Sequence, residues 1–169
     1  MPTDPVLMEL AERVGHHLRA AKGRLATAES CTGGWISKAV TDIPDSSWWF
    51  ECGYVTYSNA AKVRDLGVSE QTLKDYGAVS EACVREMAAG ALRVSGANIG
   101  VAASGIAGPS GGTPDKPVGT VWFGLAIRRG ERVELSSGTK LFPGDREAIR
   151  RLTVEHALRL VLAVELPSV

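Results

Sequence analysis

Apolar residues recur every three to four positions through Val6, Leu7, Leu10, Val14 and Leu18, which predicts an opening amphipathic helix that ends near Arg19. The period then changes. Leu25–Glu29 reads as a short strand, Ser30–Gly34 as a turn, and Trp35–Thr41 as a second helix that Ile43-Pro44-Asp45 breaks. Ser46 or Ser47 can cap a helical turn through Phe50. Gly53–Ser58 follows as a strand, with Val55 and Tyr57 alternating to one face and Thr56 and Ser58 to the other. A helix begins near Asn59, and a further turn or two covers Ser69–Tyr76. Ser80 then caps a longer helix whose Val84, Met87, Ala88, Ala91 and Leu92 share one face. Ala97–Ala103 is apolar enough for a buried strand, whereas Gly105–Lys116, with four glycines and two prolines in twelve residues, must be a loop. Gly119–Ile127 and Arg132–Leu141 read as strands joined by a hairpin turn at Arg128–Glu131. The last helix starts near Gly144-Asp145 and turns Ile149, Leu152, His156, Leu160 and Val161 to the core. Helices alternating with strands before a closing hairpin predict α/β: one three-layer α/β/α domain with a mixed sheet, spanning residues 1–169.

Composition narrows the function classes. The 169 residues suit one well-filled core, and 44% apolar with 22% charged residues is an ordinary globular balance. Nineteen basic against nineteen acidic residues leave no overall field for a nucleic-acid partner, although a local basic patch would survive that test. No apolar run is long enough to span a bilayer, and Met1–Val14 lacks the order of a secretory signal, so a cytoplasmic protein without membrane attachment is expected. Cys31, Cys52 and Cys83 include no C-x-x-C pair, and His16, His17 and His156 lie far from them in sequence. No metal site is expected, and each thiol reads first as a small buried apolar group.

The chemistry concentrates in S-W-W-F-E-C-G-Y-V-T-Y-S-N-A-A-K, Ser47 to Lys62. A serine hydroxyl becomes a nucleophile when a neighbouring base takes its proton, and a desolvated lysine can be that base. Lys62 would fall in the first turn of a helix capped by Ser58 or Asn59, where the helix dipole and burial both favour the neutral amine. Otherwise it is an exposed lysine on an amphipathic helix. Ser47 is the candidate nucleophile or simply a helix cap, and Tyr57 a proton relay or an ordinary strand tyrosine. Trp48, Trp49 and Phe50 beside Ser47 read as core or interface aromatics. Two small-residue segments follow strands and could face one crevice: E-S-C-T-G-G at Glu29–Gly34, and A-S-G-I-A-G-P-S-G-G-T-P at Ala103–Pro114. Neither fits a dinucleotide or P-loop pattern. Cys31 is a rival nucleophile, since a helix N-terminus depresses a thiol pKa. Arg146 and Arg150, at the start of the last helix, could grip a phosphate or carboxylate, or pair with Asp145 or Glu147.

In this order T-A-E-S-C-T-G-G (Thr27–Gly34), S-S-W-W-F-E-C-G-Y-V-T-Y-S-N-A-A-K (Ser46–Lys62), G-A-V-S-E (Gly77–Glu81), S-G-I-A-G-P-S-G-G-T (Ser104–Thr113), K-P-V-G-T-V-W (Lys116–Trp122) and F-P-G-D-R-E-A-I-R (Phe142–Arg150) resemble the C-terminal domain family of competence/damage-inducible protein A over nearly the whole chain. The resemblance implies hydrolysis of the carboxamide of nicotinamide mononucleotide to nicotinate mononucleotide and ammonia, without metal or cofactor, in pyridine-nucleotide salvage. It implies a serine nucleophile, a lysine base and an assisting tyrosine, carried onto Ser47, Lys62 and Tyr57. Glu29, Ser30, Thr32, Gly33, Asn59, Ser104, Gly105, Gly108 and Arg146 are then the candidate substrate-binding residues. Family members often carry threonine where this chain has Ser104, which keeps the hydroxyl. Glu29 could face the pyridinium or the ribose, and which loop holds the phosphate stays open. A homo-oligomer is expected. A non-catalytic sensor of pyridine nucleotides is the alternative reading of the same crevice.

Overall fold

The computed structural model describes residues 1–166. In chain order the elements are α1 (Asp4–Ala20), β1 (Leu25–Glu29), α2 (Trp35–Thr41), a 3₁₀ turn (Ser46–Trp48), β2 (Phe50–Val55), α3 (Asn59–Leu66), α4 (Glu70–Tyr76), α5 (Glu81–Ser95), β3 (Ile99–Gly105), β4 (Thr120–Arg129), β5 (Arg132–Leu141) and α6 (Arg146–Leu162). The strands form one mixed sheet in the order β2-β1-β3-β4-β5, with β2, β1 and β3 parallel and β4 and β5 antiparallel.

Sequence pattern explains each position in the sheet. The central strand β1, L-A-T-A-E, is buried along its whole length, as a strand covered on both faces must be. The edge strand β2 alternates half-buried and exposed residues. It begins at Phe50 and ends at Val55, three residues earlier than the Gly53–Ser58 expected, because the buried Trp49 anchors its start and the cap of α3 takes Ser58. Leu7, Leu10, Val14 and Leu18 of α1 pack with α2 and α6 against Leu25, Ile99, Val101 and Phe123. On the other face Leu66, Val84, Met87 and Leu92 cover Ala26, Ala28, Ala102 and Ala126. The inward stripe of α6 is Ile149, Thr153, Val154, Ala157, Leu158 and Val161. Leu152, His156 and Leu160, expected in the core, are half-buried at its margin, and the His156 ring packs edge-on against Phe123 at 4.5 Å.

Helix α5 lies close on the sheet and on α3 because two positions lack a side chain. A Cβ at Gly124 would stand 2.2 Å from the Val84 carbonyl oxygen, and one at Gly90 2.0 Å from that of Leu66. The second contact brings α3, and with it Lys62, down beside α5. The three parallel strands end at one edge, where β4 begins and β5 ends. Residues 30–34, 56–58, 106–119 and 142–145 therefore gather there, at the edge where α/β sheets receive ligands.

Candidate active site

Ser58 caps α3 by accepting the Ala61 N–H at 3.1 Å, which sets Lys62 one turn into the helix with its side chain directed under the crest. Lys62 is 1% exposed. Its Nζ lies 2.7 Å from the Thr56 carbonyl oxygen, 3.1 Å from Ser30 Oγ and 3.4 Å from the Tyr57 carbonyl oxygen. No carboxylate is among these partners. Burial lowers its pKa below the ordinary 10.5, against a smaller opposing pull from the nearby Cys83 and Cys31 thiols.

Ser30 continues the face of β1 that carries Ala26 and Ala28, and its N–H donates to the Ala103 carbonyl at 3.0 Å. That bond seats it beside Ser104, whose own register partner is Trp122 of β4. On the other side the Thr56 N–H donates to the Glu29 carbonyl at 2.9 Å and seats Thr56 beside Ser30. Thr56, Ser30, Ser104 and Trp122 thus step across the sheet on one face, about 4.8 Å per strand. Thr56 Oγ1 and Ser104 Oγ are buried and have no hydrogen-bond partner among the described residues. Two unpaired hydroxyls flanking a serine that meets a desolvated amine are the donors and acceptors a carboxamide needs.

Several sequence expectations are corrected here. Ser47 does not meet Lys62. It precedes β2 while Lys62 follows it, so the strand's six residues, about 20 Å, separate them. Ser47 is exposed in the 3₁₀ turn at the opposite edge, and its carbonyl accepts from Arg24. The Glu29 carboxylate is turned into the start of α2. One of its oxygens accepts from Thr32 Oγ1 and the N–H groups of Gly34 and Ile36, the other from the N–H and hydroxyl of Ser37 at 2.8 and 2.7 Å. The turn that looked like an anion cradle is filled by the chain's own carboxylate, and Thr32 Oγ1 is spent on it. Tyr57 offers Lys62 its carbonyl, while its phenol is 61% exposed and accepts from Arg146 Nη2 at 3.2 Å.

Arg146 also donates to the Gly108 carbonyl at 2.8 Å, so it straps the 106–119 loop to Tyr57. Arg150 makes no pair with Asp145 or Glu147. It donates to the carbonyls of Cys31 and Thr32 at 3.1 and 2.7 Å and holds the turn that presents Ser30. Cys31 is buried toward α6, and burial pushes its thiol up to about 11, which disfavours the thiolate a nucleophile requires. Asn59 is exposed at the first turn of α3, Gly33 is exposed with φ 62°, and Gly105 closes β3 opposite Val121. The site the sequence missed is Ser30 as partner of Lys62, with Thr56 beside it. The signal was available: parallel β1 and β2 must end on the same edge, so the residues just after each of them meet.

A buried serine–lysine pair thus stands at the carboxyl edge of a mixed α/β sheet, an arrangement with the groups that acyl transfer uses. Residues 7–164 match the CinA C-terminal domain, and the chain belongs to that family. It is 54% identical over 157 residues to a protein of Escherichia coli K12 named nicotinamide-nucleotide amidohydrolase PncC, covering 93% of each chain. A protein of Pseudomonas putida with the same name is 56% identical over 155 residues, covering 92% of this chain and 94% of that one. Among solved structures, a CinA superfamily protein from Escherichia coli superposes with a TM-score of 0.89 at 35% identity, covering 97% of this chain and 94% of that one. The competence/damage inducible protein CihA from Agrobacterium tumefaciens gives 0.88 at 42% identity, covering 96% of each. No helix among the described residues is long and apolar enough to cross a membrane.

Proposed function

We propose that this chain hydrolyses the carboxamide of nicotinamide mononucleotide to nicotinate mononucleotide and ammonia, with Ser30 as nucleophile and Lys62 as base. One observation carries the assignment of roles: the buried Lys62 Nζ lies 3.1 Å from Ser30 Oγ with no carboxylate to hold it charged. The names of relatives above 50% identity support the substrate. We read the reaction as a step of pyridine-nucleotide salvage.

The geometry supports one order of proton transfers. A neutral amine has two N–H bonds and one lone pair. The carbonyls of Thr56 and Tyr57 accept the two N–H groups, which leaves the lone pair directed at the Ser30 hydroxyl. Lys62 takes the hydroxyl proton as Ser30 Oγ attacks the carboxamide carbon. The oxygen that gains charge is met by the Ser104 hydroxyl, and removing one such donor costs about 10²–10³ in turnover. Lys62 returns the proton to the departing nitrogen, ammonia leaves, and an ester on Ser30 remains. Water then attacks that ester with Lys62 again as base, giving the carboxylate and restoring Ser30. No step calls for a metal, so activity after exhaustive chelation is expected to be full.

The test is ammonia release from nicotinamide mononucleotide by three variants. Ser30→Ala should lose at least about 10³-fold in turnover, whereas Ser47→Ala and Cys31→Ala should retain most activity. A dead Ser47→Ala beside an active Ser30→Ala would reverse the assignment.

A further inference from the structure

The row of side chains that carries Ser30 continues past Ser104 to Trp122, and there it opens into a cavity of about 620 Å³ between α4, α5, β4 and the 106–119 loop. That volume lies within the range of small-molecule sites. Trp122 stands two strands from Ser30, about 9–10 Å, with the buried, unpaired Ser104 hydroxyl on the strand between them. Tyr76, Ser80 and the Trp122 indole wall the cavity, and Lys116 and Arg85 enter it. Lys116 Nζ donates to the Tyr76 carbonyl at 2.8 Å and forms no ion pair among the described residues. An ammonium has three donors, so two remain for a ligand. Arg85 reaches only Ser137 Oγ and the Leu135 carbonyl, at 3.3 and 3.4 Å, while Glu81 is occupied by the Ser137 hydroxyl at 2.6 Å. Glu29 fills the turn before α2 and so removes that turn as an anion cradle, while Arg146 already spans the Gly108 carbonyl and the Tyr57 phenol.

We propose that this cavity holds the ribose 5-phosphate end of the substrate, with Lys116 on the phosphate and the Trp122 indole against the sugar. The proposal rests on the amidohydrolase reading for which end of the substrate meets Ser30. The ring then lies on the Ser30 side of Trp122.

Calorimetric titration of ribose 5-phosphate into the full chain tests the site without requiring turnover. Wild type should bind it, Lys116→Ala should weaken binding by at least about tenfold, and Lys116→Arg should restore most of it. Should Lys116→Ala melt below the assay temperature, Lys116→Gln gives the same reading, since it keeps a donor for the Tyr76 carbonyl and loses the charge. In turnover, Lys116→Ala should raise KM for nicotinamide mononucleotide with little change in kcat, and should lose the preference over the riboside that lacks phosphate. Undetectable binding by wild type, or unchanged affinity in the Lys116 variants, overturns the site, with or without a loss in Arg146→Ala. Absence of ammonia release by wild type counts against the amidohydrolase reading alone, because the titration still decides where the sugar phosphate binds.

Discussion

Burial lowers the pKa of Lys62, and that has a consequence for stability as well as for rate. Its folded pKa lies below the ordinary 10.5, so between the two values the unfolded chain binds a proton that the folded chain does not. Stability therefore rises with pH across that window, by up to about 1.4 kcal/mol per pH unit, and is lost as pH falls through the folded pKa. Urea unfolding at stepped pH should give this slope for wild type and a flatter one for Lys62→Met. Activity should rise through the same lowered pKa, because in the mechanism proposed above only the neutral amine accepts the Ser30 proton. Lys62→Arg keeps the charge and cannot serve as base, so it should be as inactive as Lys62→Ala. An active arginine variant with an unchanged alkaline rise would leave Lys62 only a positioning role.

The strand–turn–helix unit β1–α2 is organised around Glu29. Its carboxylate takes the free N–H groups at the start of α2, which a short helix with Gly34 at its N-cap cannot satisfy from its own side chains. Glu29→Gln places an amide donor among donors. It should cost about 2–3 kcal/mol, a fall in Tm of roughly 5–10 °C in a chain of this size. An unchanged melting curve with a raised KM would return Glu29 to the substrate. Element order, the caps at Ser58 and Ser80, and the closing hairpin were legible in the sequence, because each depends on a few neighbouring residues. The partner of Lys62 was not. Ser47 stands nearer to it in sequence than Ser30, and only the parallel pairing of β1 with β2 reverses that order in space. Glu29 misled for a related reason: a carboxylate beside glycines reads as a ligand contact until the helix it caps is in place.

Both edges of the sheet are open among the described residues. The outer strand β5 exposes Val133, Leu135 and Leu141, and at the other edge β2 exposes Val55, with Tyr57 exposed just beyond it. Apolar side chains along unpaired strand edges favour association. Light scattering should therefore give a mass above the 17.9 kDa of one chain, and Val133→Lys together with Leu135→Lys should reduce it if β5 is the contact. A monomer at assay concentration would leave these edges solvated. The α/β/α layering itself follows from the way the two apolar clusters divide β1 and β3 residue by residue, Leu25, Val101 and Ala103 to one side and Ala26, Ala28 and Ala102 to the other.

The pocket that lowers the pKa of Lys62 changes character when its work is done. The final step leaves a carboxylate where the neutral carboxamide had been, and the new acid gives up a proton beside an amine that can keep it. An ammonium facing a carboxylate in a dry pocket is a trap for the product. Release then requires that proton to leave, so departure of nicotinate mononucleotide should slow as the medium becomes more acidic. Inhibition by added product should strengthen as pH falls, and an inhibition constant that does not vary with pH would mean that Lys62 stays uncharged beside it.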